Sequence, residues 1–246
     1  MTAPHAQSIS YPSVLVTSLL FLLASITSHQ SGLDLWLADS IYQLEGGNGT
    51  GFPLRNNFLL QNVLHEGGRL VSQLLLLVTL AAYLASRFID RIKPMRADLA
   101  FIVVATITAC TSIAILKNLN DIPCPADLAL FGGEREWVNF WQLFSSDLPA
   151  GKCYPAGHAS GGYAWLAVAF IAPRRRGRFF VYLIPGLLLG LIFGVAQQLR
   201  GAHFLSHDLA TIACCWFCSG TVFHIMRRPE VASIATPRQQ LVAGEA

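Results

Sequence analysis

The 246-residue chain is short of charge: 13% of its residues are charged, against 53% hydrophobic. A soluble domain carries about 25% charged residues, so this scarcity excludes an ordinary water-soluble globule and points to a bilayer protein. Net charge is only +3, which removes the electrostatic case for nucleic acid as a partner. Metal-type cysteine spacing, a glycine-rich phosphate loop and a dinucleotide fingerprint are all missing, so no metal or organic cofactor is expected. Internal repeats and low-complexity tracts are missing too. Residues 1–12 contain no Lys or Arg, and the apolar run that follows is long for a signal-peptide core. It is read as an uncleaved first span.

What the chain does have is long apolar runs. A hydrocarbon core of about 30 Å needs about 20 mainly apolar residues per helical span. Six segments qualify: 12–29, 69–87, 98–116, 156–173, 179–199 and 205–226. The expected fold is an all-α integral membrane protein, one six-helix domain over residues 1–228 with a flexible cytoplasmic tail at 229–246. Basic residues set the orientation. With the N-terminus inside, the inner connections hold Arg91, Lys93 and Arg96, then Arg174, Arg175, Arg176 and Arg178, then Arg227, Arg228 and Arg238. This fits the positive-inside rule and places both termini in the cytoplasm of a bacterial-type inner membrane.

The outer segments are then 30–68, 117–155 and roughly 200–204. LDLWLADSIYQL in the first has apolar residues at helical spacing and suits an amphipathic helix. Trp137, Phe140, Trp141 and Phe144 in the second suit an interfacial belt or a packed cover over the bundle.

Ionisable residues converge on that outer side. Lys117 ends the third span, His158 begins the fourth inside CYPAGHASGG, and Arg200, His203, His207 and Asp208 occupy the hinge before the sixth. Each alone has a plain explanation, such as a snorkelling lysine or a helix-end histidine. Together at one membrane depth they read as a site, because intramembrane charge faces a bundle interior or a wet cavity. Lys and Arg match phosphate oxygens. One neutral histidine can attack phosphorus while another protonates the leaving oxygen. Gly157 lets a helix N-terminus approach an anion.

These residues resemble the type 2 phosphatidic-acid phosphatase superfamily, whose three motifs are K-x6-R-P, P-S-G-H and S-R-x5-H-x3-D. Here they read KNLNDIPCP (117–125), PAGH (155–158) and RGAHFLSHD (200–208). Order, spacing and expected topology agree over nearly the whole chain. The chain departs from the pattern at several positions. Cys124 stands at the first-motif arginine and Ala156 at the second-motif serine. With His203 as nucleophile, Gln197 stands at the third-motif arginine, and His207 rather than Asp208 lies four residues on.

The resemblance implies a metal-independent lipid phosphatase. Lys117, Arg200 and backbone N–H groups near Gly157 would hold phosphate. His203 would form a phosphohistidine, His158 would serve as acid and then base, and His207 or Asp208 would orient the nucleophile. A helical hinge favours His207, and an irregular one favours Asp208. Gln197, Ser160, Arg135 and Lys152 are candidates to replace the missing arginine and serine. Undecaprenyl diphosphate, phosphatidylglycerol phosphate, phosphatidate and lipid A are all eligible substrates. Transfer to a second lipid is the enzymatic alternative, and lipid transport the non-enzymatic one. A haem protein would leave Lys117 and Arg200 unexplained, and a thiol oxidase would need closer cysteine pairs. Cys124 and Cys153 share the outer loop, where a disulfide would close about 30 residues and tie the first motif to the second. The remaining cysteines read as packing residues.

Overall fold

The computed structural model describes residues 9–142, 151–175 and 178–234. Phe144, Arg176, Arg238 and the tail from residue 235 lie outside the described residues. The first helix, α1 (Tyr11–Gln30), starts where the Ser10 hydroxyl accepts a hydrogen bond from the Ser13 N–H, with a proline in its first turn. A turn through Gly32 leads into α2 (Leu33–Leu44), which is the LDLWLADSIYQL helix. The chain then forms a π-helical turn (Leu59–Gly67) that runs straight into α3 (Gly68–Ala85). After α4 (Arg96–Asn118) comes a long connection with short 3-10 turns, and then α5 (Gly157–Tyr163). Residues Ala164–Arg175 continue α5 as 3-10 helix, and α6 (Phe179–Leu199) and α7 (Leu205–Ile234) complete the chain. No strand occurs among the described residues, only an isolated bridge between Leu128 and Arg135.

Five described helices are long and apolar enough to cross a membrane: 11–30, 59–85, 93–118, 179–199 and 205–226. Large apolar side chains on them, including Leu74, Leu77, Val78 and Leu188, are exposed, as a lipid-facing surface requires. The expected span at 156–173 differs in form. It is a seven-residue α-helix followed by twelve residues of 3-10 helix. Rises of about 1.5 and 2.0 Å per residue give about 35 Å, so the segment is long enough although it is not an α-helical span. It is the core of the bundle: Tyr163, Leu166 and Phe170 are buried against Phe101 and Ala105 of α4 and Trp216 of α7. Gly162 makes that position possible. A Cβ there would lie 2.2 Å from the Gly190 backbone nitrogen, so α5 and α6 cross in near backbone contact.

The second span also differs, beginning at Leu59 rather than 69. Gly68 ends the expected outer segment 30–68, yet it is a packing glycine inside the helix. A Cβ at that position would lie 2.6 Å from the Phe193 ring of α6. The start of this helix, the end of α4, the start of α5, the end of α6 and the start of α7 therefore meet at one end of the bundle.

Loop residues cover that end. His29 stacks on Trp137 at 4.2 Å and bonds Asp34, whose other oxygen accepts the Ser206 backbone N–H at 3.0 Å. Asp34 thereby satisfies an orphan donor at the start of α7 from a separate helix. Trp137 also packs on Phe204, and Phe140 on Tyr154, so both cover the bundle; Trp141 stays exposed.

Candidate active site

The three motifs are fastened to one another at this end. Cys124 and Cys153 form a disulfide across 29 residues, with Cα atoms 5.3 Å apart. The Ala126 N–H donates to Gly201 O at 2.8 Å, tying the first motif to the third. Between the second and third motifs, the Ala156 N–H donates to His207 O at 3.2 Å and the Thr211 hydroxyl to Ala156 O at 3.1 Å.

A cavity of about 430 Å³ opens here, lined by His65, Arg69, Lys117, His158, Gln197 and His203 among others. It continues past Ser72, Gln73 and Cys110 to Thr106, Leu76 and Trp165. Arg69 and Gln73 are exposed on α3, so the cavity reaches the flank of the bundle. Lys117 has no acidic partner among the described residues. Gly157 lies against the Lys117 side chain, with the position of a Cβ there 3.5 Å from Nζ, an ordinary contact distance.

The hinge between α6 and α7 is irregular. Gly201 has φ +63°, and a Cβ there would run into the Phe52 ring. An irregular hinge favoured Asp208 as the partner of His203, but the structure places His207 there, with the two Nδ1 atoms 3.2 Å apart. This is because α7 begins at Leu205 and its first turn carries His207 back over the hinge. Asp208 faces α6 instead, where its Oδ2 accepts from Gln198 Nε2 at 2.6 Å.

His203 is buried. Burial first, then the charge of Lys117, push its pKa down to about 3, so the ring is neutral at pH 7. Its Nδ1 also lies 3.5 Å from Cys153 Sγ. That sulfur is 3.0 Å from Ala202 O as well, a contact without a proton because the disulfide has no S–H. Cys153, His203 and His207 bring potential ligand atoms within 4.8 Å of one another. With the sulfur held in a disulfide, two histidine nitrogens remain, fewer than a zinc-type site uses.

His158 is fixed from the π-helical turn. Its Nε2 donates to Leu64 O at 3.1 Å, so Nε2 carries the proton and Nδ1 is the free nitrogen. Arg200 does not line the cavity wall directly. Its Nε donates to Arg55 O at 2.9 Å, one terminal nitrogen donates to Gln197 Oε1 at 3.1 Å, and the other donates to Gln61 Oε1. Among the candidate replacements, Gln197 and Ser160 line the cavity, whereas Lys152 is exposed and Arg135 belongs to the covering loop. His65 and Arg69 were not among the residues singled out by sequence. The only signal for them was a histidine and an arginine four residues apart in HEGGR, at the boundary between the outer segment and the second span.

The fold and this end of the bundle define a helical membrane protein with a cationic, histidine-walled cavity. The chain belongs to the PAP2 superfamily, whose family model matches residues 97–230, just over half of it. The match runs from α4 into α7 and contains all three motifs. No curated protein and no solved structure matches the chain. PAP2 members are generally phosphatases, so the family indicates phosphatase or phosphoesterase chemistry.

Proposed function

We propose that the protein hydrolyses a phosphate monoester or diphosphate of a membrane lipid through a phosphohistidine on His203, without a metal. The observation that carries this reading is the neutral, buried His203 on the wall of a cavity shared with Lys117 and His158. A nucleophilic histidine needs one nitrogen protonated and turned away and the other bare. His207 Nδ1 is placed to accept the His203 Nδ1 proton, which leaves His203 Nε2 with its lone pair.

In the first step this lone pair attacks phosphorus and the P–O bond to the lipid or leaving phosphate breaks. His158 enters this step as an imidazolium, its Nε2–H held by Leu64 O and its Nδ1 protonated from solvent, and the leaving oxygen takes the Nδ1 proton. Water then attacks phosphorus and gives its proton to His158. The N–P bond breaks and phosphate departs. Lys117 offsets the charge on the phosphoryl oxygens, the largest kind of contribution to such transfers. Arg200 acts on phosphate through Gln197 or with its remaining N–H groups.

The opening of the cavity beside α3 supports a lipid substrate, whose head group enters while its chains stay in the bilayer. On the positive-inside pattern this end faces the periplasm. A panel of lipid phosphates, assayed in chelator for free phosphate and for phosphorylated-lipid products, tests the reading. Metal-independent phosphate release, abolished in His203→Ala, is expected; phosphorylated lipid as the main product would make the protein a phosphotransferase.

A further inference from the structure

The phosphate-binding groups in the family pattern outnumber those the three motifs supply here, since Cys124, Ala156 and Gln197 stand at donor positions. The missing donor comes from outside the motifs. We infer that His65 is a catalytic residue that donates an Nε2–H hydrogen bond to the phosphoryl group, in a protonation state fixed by Gln197 and Arg200. This rests on the phosphatase reading above and adds a residue that none of the three motifs contains.

The inference follows from a chain of donors and acceptors. Arg200 has only donors, so the Gln197 atom facing it, at 3.1 Å, is the amide oxygen. The other end of the Gln197 amide is then NH2, which lies 3.0 Å from His65 Nδ1. A nitrogen receiving that N–H carries no proton of its own. His65 is therefore neutral with its proton on Nε2. Protonating Nδ1 would require turning the amide over and setting its NH2 against a guanidinium.

The position of the ring agrees with this role. His65 lines the cavity with Lys117 and His203, and its ring lies 4.4 Å from that of His158. Its Nε2 has no hydrogen-bond partner among the described residues. The π-helical turn sets both histidines: residue 64 supplies the carbonyl that fixes His158, and residue 65 supplies the ring beside it. π-helical segments are rare and recur at functional sites.

Two measurements test the inference on the full chain in detergent. The first is histidine 15N NMR at pH 7, with His65 assigned from the signals lost in His65→Gln. A bare Nδ1 and a protonated Nε2 are expected, and Arg200→Met, which frees Gln197 to turn, is expected to give a tautomer mixture. A protonated Nδ1 in the unaltered protein overturns the inference. The second is turnover of the lipid phosphate found in the panel. His65→Phe keeps a ring against His158 without the N–H and is expected to lower kcat about a hundredfold, as loss of one oxyanion donor does. His65→Gln restores an N–H and is expected to return to within about tenfold of the unaltered protein. A fully active His65→Phe, or a His65→Gln as impaired as His65→Phe, overturns the donor role. Undiminished turnover in His203→Ala would instead overturn the phosphatase reading, whatever His65 does.

Discussion

At the scale of single residues, the account depends on which side chain stands behind His203. Sequence spacing left His207 and Asp208 open, because the choice turns on the path of five hinge residues that no periodicity describes. Geometry separates them: His207 Nδ1 is 3.2 Å from His203, and Asp208 is held by Gln198. His207→Ala is accordingly expected to lower kcat by at least about a hundredfold, the scale on which a lost orienting partner acts. Asp208→Asn, which keeps an acceptor for Gln198, is expected to cost less than about tenfold; steady-state kinetics on both variants decides. His203 also carries a pH signature. Its pKa in the fold, about 3, lies well below the ordinary histidine value near 6.5. Below pH 6.5 the unfolded chain takes up a proton that the folded chain refuses, so stability falls as pH falls through the window from about 6.5 to about 3. His203→Gln removes that uptake, and its melting temperature is expected to fall less steeply with acid than that of the unaltered protein. Parallel melting curves over that window would contradict the buried, neutral state.

At the scale of elements, the end of the bundle is held by links between segments far apart in sequence. The disulfide joins the loop after α4 to the start of α5, and on the chain-entropy account a 29-residue separation is worth about 3–4 kcal/mol. Four of the six cysteines, Cys110, Cys214, Cys215 and Cys218, are free. A thiol count on denatured, unreduced protein is expected to give four, and Cys153→Ser is expected to lower the melting temperature. A count of six would remove this link. Most apolar helices were legible in sequence because mean hydropathy survives any detail of packing. Two boundaries were not. The helix from Leu59 was hidden because residues 59–68 fell in the expected outer segment 30–68, whereas Gly68 packs against the Phe193 ring. The 3-10 continuation of α5 was hidden because Ala164–Arg175 has the same apolar composition as an α-helical span, and its form is set by burial among α4, α6 and α7.

At the scale of the whole molecule, the fold brings cationic and imidazole side chains from four helices and the α6–α7 hinge to one end of a mostly apolar bundle. The motif residues Lys117, His158 and His203 were legible because charge is rare in this chain and each stands at the edge of an apolar run. His65 was not, because the second span had to begin ten residues earlier before it entered the same cavity, and Arg69, the first residue of the expected span, was not singled out. The cavity joins that end to the bundle flank, which suits a substrate that is water-facing at its phosphate and lipid-facing elsewhere. The central claim is that phosphate passes through His203. Rapid acid-free quenching of chelator-treated protein with a labelled lipid phosphate, followed by proteolysis and mass spectrometry, reads this directly. The account predicts a transient phosphoryl group on His203 that decays as free phosphate appears. A phosphoryl group on another residue, or full turnover in His203→Ala, would contradict it.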